Sequence, residues 1–257
     1  AEVVDPSVFD QAFYFVTGLG HQAVMVFFVL SGFFVGGSVW IKVQAKKFKM
    51  FDYLIIRMSR LWIVLVPALL FTLMCDFYGG YLASGDGYNG IWHSLLSSGP
   101  GVGEDAINLG FSAFFGNLLF LQTMVVPVYG SNGPLWSLAY EFWYYILFPV
   151  LLFNLEIFKN NTSKTKVSYF FIILVLILLL IPFKILLYFI VWLLGSLVYF
   201  LRKVQIKYLK INVILSLVIF SLSLINYKLK IFELKNFYQD FVIAIGILGS
   251  CTIVINC

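Results

Sequence analysis

Residues 21–41 read HQAVMVFFVLSGFFVGGSVWI, a stretch that contains no aspartate, glutamate, lysine or arginine. A helix of this length rises about 1.5 Å per residue and crosses the roughly 30 Å hydrocarbon core of a bilayer. Similar apolar runs recur along the 257-residue chain, which is 61% hydrophobic and 11% charged. The runs are too long and too uniformly apolar for barrel strands, in which apolar and polar residues alternate. The sequence therefore predicts an all-α, polytopic transmembrane helix bundle embedded in the lipid bilayer.

Basic residues lie at the ends of the apolar runs, so they indicate topology and not a nucleic-acid surface. The stretch 42–60 is the most basic, whereas 76–108 carries four acids and no basic residue. Lysine and arginine favour the cytoplasmic side, so we place 42–60 inside and 76–108 outside. Continued alternation predicts about seven spans in the cytoplasmic (inner) membrane. The basic residues then face inward except for Lys184, Lys228, Lys230 and Lys235.

One further apolar stretch, 109–129, ends in the breaker-rich sequence Gly-Ser-Asn-Gly-Pro at 130–134. If this stretch crossed the membrane, the tract with Lys159, Lys164 and Lys166 would lie outside. A re-entrant or interfacial segment keeps that tract inside. We therefore predict that 109–129 does not span.

The chain starts at Ala1 and stops at Cys257 within an apolar run. We expect 1–257 to be a single integral-membrane domain that is truncated at both ends. Its three cysteines lack Cys-x-x-Cys or Cys/His spacing, so neither a disulfide framework nor a metal site is expected.

The strongest candidate for chemistry lies in the run 135–158, where residues 136–145 read WSLAYEFWYY. If this span enters the membrane near Pro134, Glu141 lies about 10 Å below the outer surface. A carboxylate at that depth is costly and indicates function, although pairing with a buried arginine or lysine is a structural alternative. Ser137 lies one turn above Glu141 on the same helix face.

His21 lies at the outer mouth of the first span. An imidazole titrates near neutral pH and can act as a general base, but an interfacial histidine that caps the helix is a simpler interpretation. Further along the same run, Ser31, Gly32 and Gly36 form a small-residue face that is typical of close helix packing.

Arg57 and Arg60 share a helix face at the cytoplasmic start of the second span. Paired guanidinium groups can bind phosphate oxygens, whereas positive-inside anchoring accounts for them without a function.

The outer segment gives a weaker signal. Acids such as Asp76 and aromatic residues such as Trp92 suit a sugar face and an interfacial belt equally well.

In this order, three sets of residues resemble the membrane acyltransferase 3 family, which includes O-acetyltransferases acting on lipopolysaccharide, exopolysaccharide and other glycans. The sets are Gly20-His21 with FFVLSGF at 27–33, Arg57 and Arg60 with Pro67, and Trp136-Ser137-Leu138 with Glu141, Tyr145 and Pro149. The resemblance covers nearly the whole chain. It implies about ten spans, acyl-coenzyme A as co-substrate, and a glycan or glycolipid acceptor.

The family normally has a preceding first helix that carries an arginine and, about three helical turns later, a histidine. We expect this chain to lack that helix. From the resemblance and the residue chemistry we expect catalytic roles for Glu141 and His21, coenzyme binding by Arg57 and Arg60, and acceptor contacts from Trp136, Ser137 and Tyr145. A transporter or flippase of lipid-linked glycans is the main alternative, with Glu141 as a proton or substrate site. A sensory membrane domain without turnover is a third.

Overall fold

The computed structural model of the chain describes residues 19–82, 107–159, 164–201, 214, 216, 218–223, 238 and 240–246. The regular structure in these residues is helical, apart from one isolated bridge between Gln122 and Val126. The elements are α1 (Gly20–Ser31), a π turn (Gly32–Gly36), α2 (Gly37–Gln44), α3 (Met50–Leu82), α4 (Phe111–Leu118), α5 (Leu135–Lys159), α6 (Lys164–Leu180) and α7 (Phe183–Leu201). The predicted all-α class is confirmed.

Four helical stretches are long and apolar enough to cross a membrane. They are Gly20–Gln44, Met50–Gly80, Leu135–Asn154 and Phe183–Phe200. Within α6, Phe171–Leu180 is a shorter apolar helix. The predicted count of about seven spans is not confirmed, since the spans expected near 211–225 and 241–256 lie largely outside the described residues.

Contacts divide the chain into two compact units. The first unit combines residues 1–47 with 183–257, and the second comprises 48–182. The predicted acidic outer loop lies largely outside the described residues, as does the predicted basic inner loop that follows α7.

In the first unit, α7 runs parallel to the helical stretch 20–44. Three aromatic pairs join these two segments, and from one pair to the next the residue numbers increase in both segments. The pairs are Phe28 with Tyr188, Phe33 with Tyr199, and Trp40 with Phe200. Parallel helices cross a bilayer in the same direction, which agrees with the predicted topology for these two spans.

Small residues bring these parallel helices into close contact. A Cβ atom added to Gly32 would strike the backbone carbonyl of Trp192, and one added to Gly195 would strike the carbonyl of Val29. The close approach lets Ser196 Oγ donate a hydrogen bond to the Gly32 carbonyl oxygen at 2.9 Å. The predicted packing role of the small-residue face is thereby confirmed at Gly32.

In the second unit, α3 and α5 run antiparallel. Asp76, near the end of α3, bonds to Ser131 just before α5. At the other end, Phe48, just before α3, packs edge to face on Phe153 of α5. The chain from Asp76 to Ser131 therefore starts and ends at the same level. The helix α4, inside this segment, has eight residues and is only about 12 Å long. This geometry agrees with the prediction that 109–129 does not cross as a single span.

The turn between α4 and α5 leaves helical geometry, and side chains satisfy several of its backbone groups. Asn117 donates from Nδ2 to the carbonyls of Ala113 and Pro127, and its Oδ1 accepts from the Tyr129 N–H. Trp62 Nε1 donates to the Leu118 carbonyl at 2.9 Å. Irregular backbone of this kind is stable in a membrane protein because such bonds replace those of the helix.

The glycine contact gives a stability prediction. We expect Gly32→Ala to lower the free energy of unfolding by about 1–3 kcal/mol, because the added methyl group forces the backbones of α1 and α7 apart. Gly20→Ala is the matched control on the same helical stretch, since nothing lies within 4 Å of a Cβ atom there. Thermal unfolding in detergent measures both variants. Equal stability of the two variants would contradict the close-packing account.

Candidate functional site

Glu141 lies on α5, six residues after Leu135, or about 9 Å along the helix axis. Its side chain is completely buried, with 0% of its surface exposed. The prediction of a buried carboxylate within a candidate span is confirmed. A carboxylate in this position requires partners that compensate for the loss of water.

Arg57 contacts two buried tyrosines, Tyr53 on its own helix, α3, and Tyr145 on the neighbouring helix, α5. Its Cζ atom lies 5.6 Å from the ring centroid of Tyr53 and 5.5 Å from that of Tyr145. The two rings meet edge to face, with centroids 6.4 Å apart. Cation–π contacts of this kind contribute about 0.5–2 kcal/mol each, more where water is excluded. They hold the guanidinium against the interior of the second unit.

Glu141 belongs to the same group of side chains. Tyr145, which contacts Arg57, lies one helical turn after Glu141 on α5. We call Tyr53, Arg57, Glu141 and Tyr145 the tyrosine–arginine cluster. It combines a buried carboxylate, a permanent cation and two phenol groups in one place.

The two arginines predicted to act together differ in their surroundings. Arg57 is partly buried and joins the tyrosine–arginine cluster, whereas Arg60 is exposed. The sequence hypothesis placed both guanidinium groups at the membrane surface. The structure adds that Arg57 packs on two rings, whereas Arg60 is the exposed cation, and the placement at the membrane surface stays a prediction.

Trp136 and Ser137 lie nearer the start of α5. The Trp136 ring packs edge to face on Tyr140, with centroids 4.9 Å apart. Ser137 Oγ donates to the Pro134 carbonyl at 2.9 Å, so this hydroxyl stabilises the first turn of the helix. Of the predicted site residues in this unit, the structure brings together Arg57, Glu141 and Tyr145.

His21 belongs to the first unit and has a partner that the sequence did not reveal. Its Nε2 lies 2.9 Å from Oδ2 of Asp240, and the Tyr188 hydroxyl donates to the same oxygen at 2.6 Å. Asp240 is 1% exposed and the His21 side chain is 33% exposed. The sequence did contain a signal for this partner, because Asp240 directly precedes the apolar run that begins at Phe241. A carboxylate in that position is unfavourable without a polar partner.

Asp76 has a structural role. It accepts hydrogen bonds from the Ser131 N–H at 2.7 Å and from the Ser131 hydroxyl at 2.6 Å. Gly130 has φ +59°, and a Cβ atom there would strike the Asp76 carboxylate. Burial, and then the charge of Asp76, raise the pKa of Tyr129, so its hydroxyl stays protonated. The sequence treated Asp76 as a weak sugar-binding candidate, whereas the contacts make it an anchor between α3 and the entry to α5.

In the described ranges, no three side chains of histidine, cysteine, aspartate or glutamate lie close enough to share a metal ion. The exposed guanidinium of Arg60 and the partly buried one of Arg57 are the cationic groups described at the start of α3. They are the candidates for binding an anionic coenzyme.

A family model described as "Acyltransferase domain", that of the acyltransferase 3 family, matches residues 3–255. The match extends through both compact units. No curated protein and no solved structure matches the chain.

The Asp76 anchor gives a second stability prediction. Asp76→Ala leaves the Ser131 N–H without its acceptor, so we expect the free energy of unfolding to fall by about 1–3 kcal/mol. Ser131→Ala removes only the hydroxyl donor and should cost about 0.5–1.5 kcal/mol. Asp52→Ala, exposed in the first turn of α3, should change stability by less than about 1 kcal/mol. Thermal unfolding of the three variants tests the anchor, which is refuted if Asp76→Ala resembles Asp52→Ala.

Proposed function

The chain belongs to the acyltransferase 3 family, and on that premise we propose that it transfers an acyl group from acyl-coenzyme A to a hydroxyl group of a saccharide or glycolipid. Family membership and the apolar helices make it a membrane protein of the acyltransferase class. We further propose that the acyl group is acetyl, that coenzyme A carries it, that the acceptor is a glycan, and that the protein lies in the inner membrane.

The observation that carries the proposal is the complete burial of Glu141 one helical turn before Tyr145, the residue on which Arg57 packs, in a chain of this family. A passive membrane helix gains nothing from a carboxylate in its apolar interior. The tyrosine–arginine cluster offers the groups that acyl transfer needs at a single place. One is a carboxylate, which can accept a proton or orient the group that does. The other is a cation, which can stabilise the negative charge that develops in the transition state.

In the proposed reaction, the acceptor oxygen forms a bond to the thioester carbonyl carbon and the carbon–sulfur bond breaks. The hydroxyl proton leaves through a base and ends on the coenzyme sulfur, which restores the free thiol. Negative charge develops on the carbonyl oxygen during this step, so a nearby cation lowers the barrier. Glu141 is proposed to orient the base or the acceptor, with Arg57 near the developing charge.

Coenzyme binding is proposed for the start of α3. Arg60 is exposed there and suits the phosphate groups, which guanidinium binds through two parallel hydrogen bonds. Arg57 lies one turn before Arg60 and connects this surface to Glu141. Trp136, Ser137 and Tyr145 remain proposed contacts for the acceptor, with Tyr145 as the member that also touches Arg57.

The central test measures transfer of label from acetyl-coenzyme A to membrane glycans by the full native protein in membranes. We expect Glu141→Gln to reduce the rate by about 10²-fold or more, because the neutral amide neither accepts a proton nor carries charge. Glu156→Gln makes the same substitution further along α5 and should retain activity. If Glu141→Gln transferred label at the wild-type rate, Glu141 would have no role in the mechanism.

The same membranes separate the proposal from a transporter. A transporter would move glycan across sealed vesicles without acyl-coenzyme A and would leave no label on it. Coenzyme-independent movement, together with an absence of label in the wild type, would overturn the acyltransferase proposal. It would leave Glu141 as a transport site.

Arginine variants test the proposed division of roles. We expect Arg60→Ala to raise KM for acetyl-coenzyme A by about tenfold with little change in kcat, as for a contact that binds substrate and transition state equally. We expect Arg57→Lys to lower kcat, because lysine keeps the charge but loses the planar stacking on Tyr53 and Tyr145. Lys42→Ala, another exposed basic residue, is the control. Identical effects of Arg57→Lys and Lys42→Ala on kcat would contradict the assignment.

A further inference from the structure

The tyrosine–arginine cluster contains a polar group that the proposed reaction does not use, the hydroxyl of Tyr53. The Tyr53 side chain is 5% exposed, and its hydroxyl is buried without a hydrogen-bond partner in the described part of the chain. Arg57 packs on the ring, but a guanidinium only donates, so it cannot accept the phenol proton. A buried phenol without a partner is unfavourable and rare in folded proteins. Tyr53 therefore holds an unused donor inside the cluster.

Tyr188, in the first unit, provides the contrast. It is 4% exposed, and its hydroxyl donates to Oδ2 of Asp240 at 2.6 Å. A phenol buried to the same degree elsewhere in this chain thus has an acceptor, whereas Tyr53 has none among the described residues. An acceptor that arrives with a ligand is a physical reason to retain such a donor.

Packing fixes the Tyr53 ring and, with it, the position of the hydroxyl oxygen. Phe48 packs on the ring with centroids 5.3 Å apart, and Tyr145 meets it edge to face at 6.4 Å. Phe48 is itself held edge to face by Phe153 at 5.4 Å. The phenol oxygen lies in the plane of the ring, so only the proton can still rotate about the carbon–oxygen bond. The donor is therefore preorganised before any ligand binds.

Tyr53 shares one face of α3 with Arg57 and Arg60, because residues i, i+4 and i+7 of a helix lie in line. Tyr53 is buried, Arg57 is partly buried and Arg60 is exposed, so this face opens from Tyr53 toward Arg60. The Cζ atom of Arg57 lies 5.6 Å from the centroid of the Tyr53 ring. An oxygen atom that binds the guanidinium of Arg57 is therefore held close to Tyr53.

The two donors define the ligand atom. A phenol and a guanidinium side by side suit an oxygen that carries or gains negative charge. A phosphate is already charged and would lose its hydration at a buried hydroxyl, whereas a thioester carbonyl is neutral until the reaction begins. The exposed Arg60 remains the better partner for phosphate groups. The carbonyl oxygen of the thioester therefore fits Tyr53.

We propose that Tyr53 is a further catalytic residue, whose hydroxyl donates a hydrogen bond to the carbonyl oxygen of the acyl-coenzyme A thioester. This inference rests on the proposed acyltransferase function. As the acceptor oxygen bonds to the carbonyl carbon, an electron pair moves to the carbonyl oxygen and the hydrogen bond from Tyr53 strengthens. When the carbon–sulfur bond breaks, that pair restores the carbonyl. The acceptor proton ends on the sulfur, and Tyr53 keeps its own proton.

The decisive variant is Tyr53→Phe, which removes the hydroxyl and keeps the ring on which Arg57 packs. The assay uses the full native protein in membranes with labelled acetyl-coenzyme A. We expect kcat to fall by about 10²-fold and KM to change by less than about twofold, because the hydrogen bond strengthens in the transition state. Tyr78→Phe, which is 58% exposed on the same helix, is the control and should leave both values unchanged.

Thermal unfolding in detergent tests the missing partner without any substrate. The Tyr53 hydroxyl has no bond to lose, so we expect Tyr53→Phe to unfold at the wild-type temperature or up to about 4 °C above it. Tyr188→Phe loses the bond to Asp240 and should unfold at a lower temperature than the wild type.

Three results would overturn the inference. A wild-type kcat in Tyr53→Phe would show that the carbonyl oxygen does not need this donor. A raised KM with an unchanged kcat would assign the hydroxyl to binding of the coenzyme before the reaction. A lower unfolding temperature in Tyr53→Phe would mean that the hydroxyl is already bonded within the protein or to a fixed water molecule.

Failure of this inference is distinguishable from failure of the proposed function. If the wild type transferred no label, the acyltransferase proposal would fail and the role of Tyr53 with it. If the wild type transferred label and Tyr53→Phe gave any of the three results above, the role of Tyr53 alone would be refuted.

Discussion

A polar group inside a membrane protein has no bulk water to bond, so its partner must come from the chain or from a ligand. This constraint explains where the chain departs from simple helices. The turn after α4 is stable because Asn117 bonds to its backbone, as do the indoles of Trp62 and Trp143. It also makes Gln22 unusual, since a buried amide is left without a partner among the described residues.

The two polar clusters solve the problem of a buried carboxylate in different ways. Asp240 is held by direct hydrogen bonds from His21 and Tyr188, so its compensation is local and directional. Glu141 lies one helical turn from Tyr145, and a permanent cation, Arg57, is fixed by packing on that ring and on Tyr53. Directional bonds fix geometry, whereas a nearby charge stabilises an ion over a longer range.

Much of the helical architecture follows from the sequence because bilayer thickness sets the length of an apolar run. The burial of Glu141 followed from its position in such a run, and the non-spanning character of 109–129 from the placement of lysines. The partner of His21 did not follow, because Asp240 is 219 residues away and no local pattern links them. The orientation of Arg57 also escaped prediction. A helix face says which residues are neighbours, but tertiary packing on Tyr145 decides where a long side chain points.

The anchor at Asp76 has a further consequence for the segment 83–106. The Gly130 N–H donates to the Asn108 carbonyl at 3.0 Å, and Gly130 itself packs against Asp76, so the helix that precedes this segment is tied to the residue that closely follows it. Closing a longer loop between fixed ends is inexpensive, with each doubling of length adding only about 0.6 kcal/mol. A change in the length of 83–106 is therefore compatible with unchanged contacts among Asp76, Asn108 and Gly130.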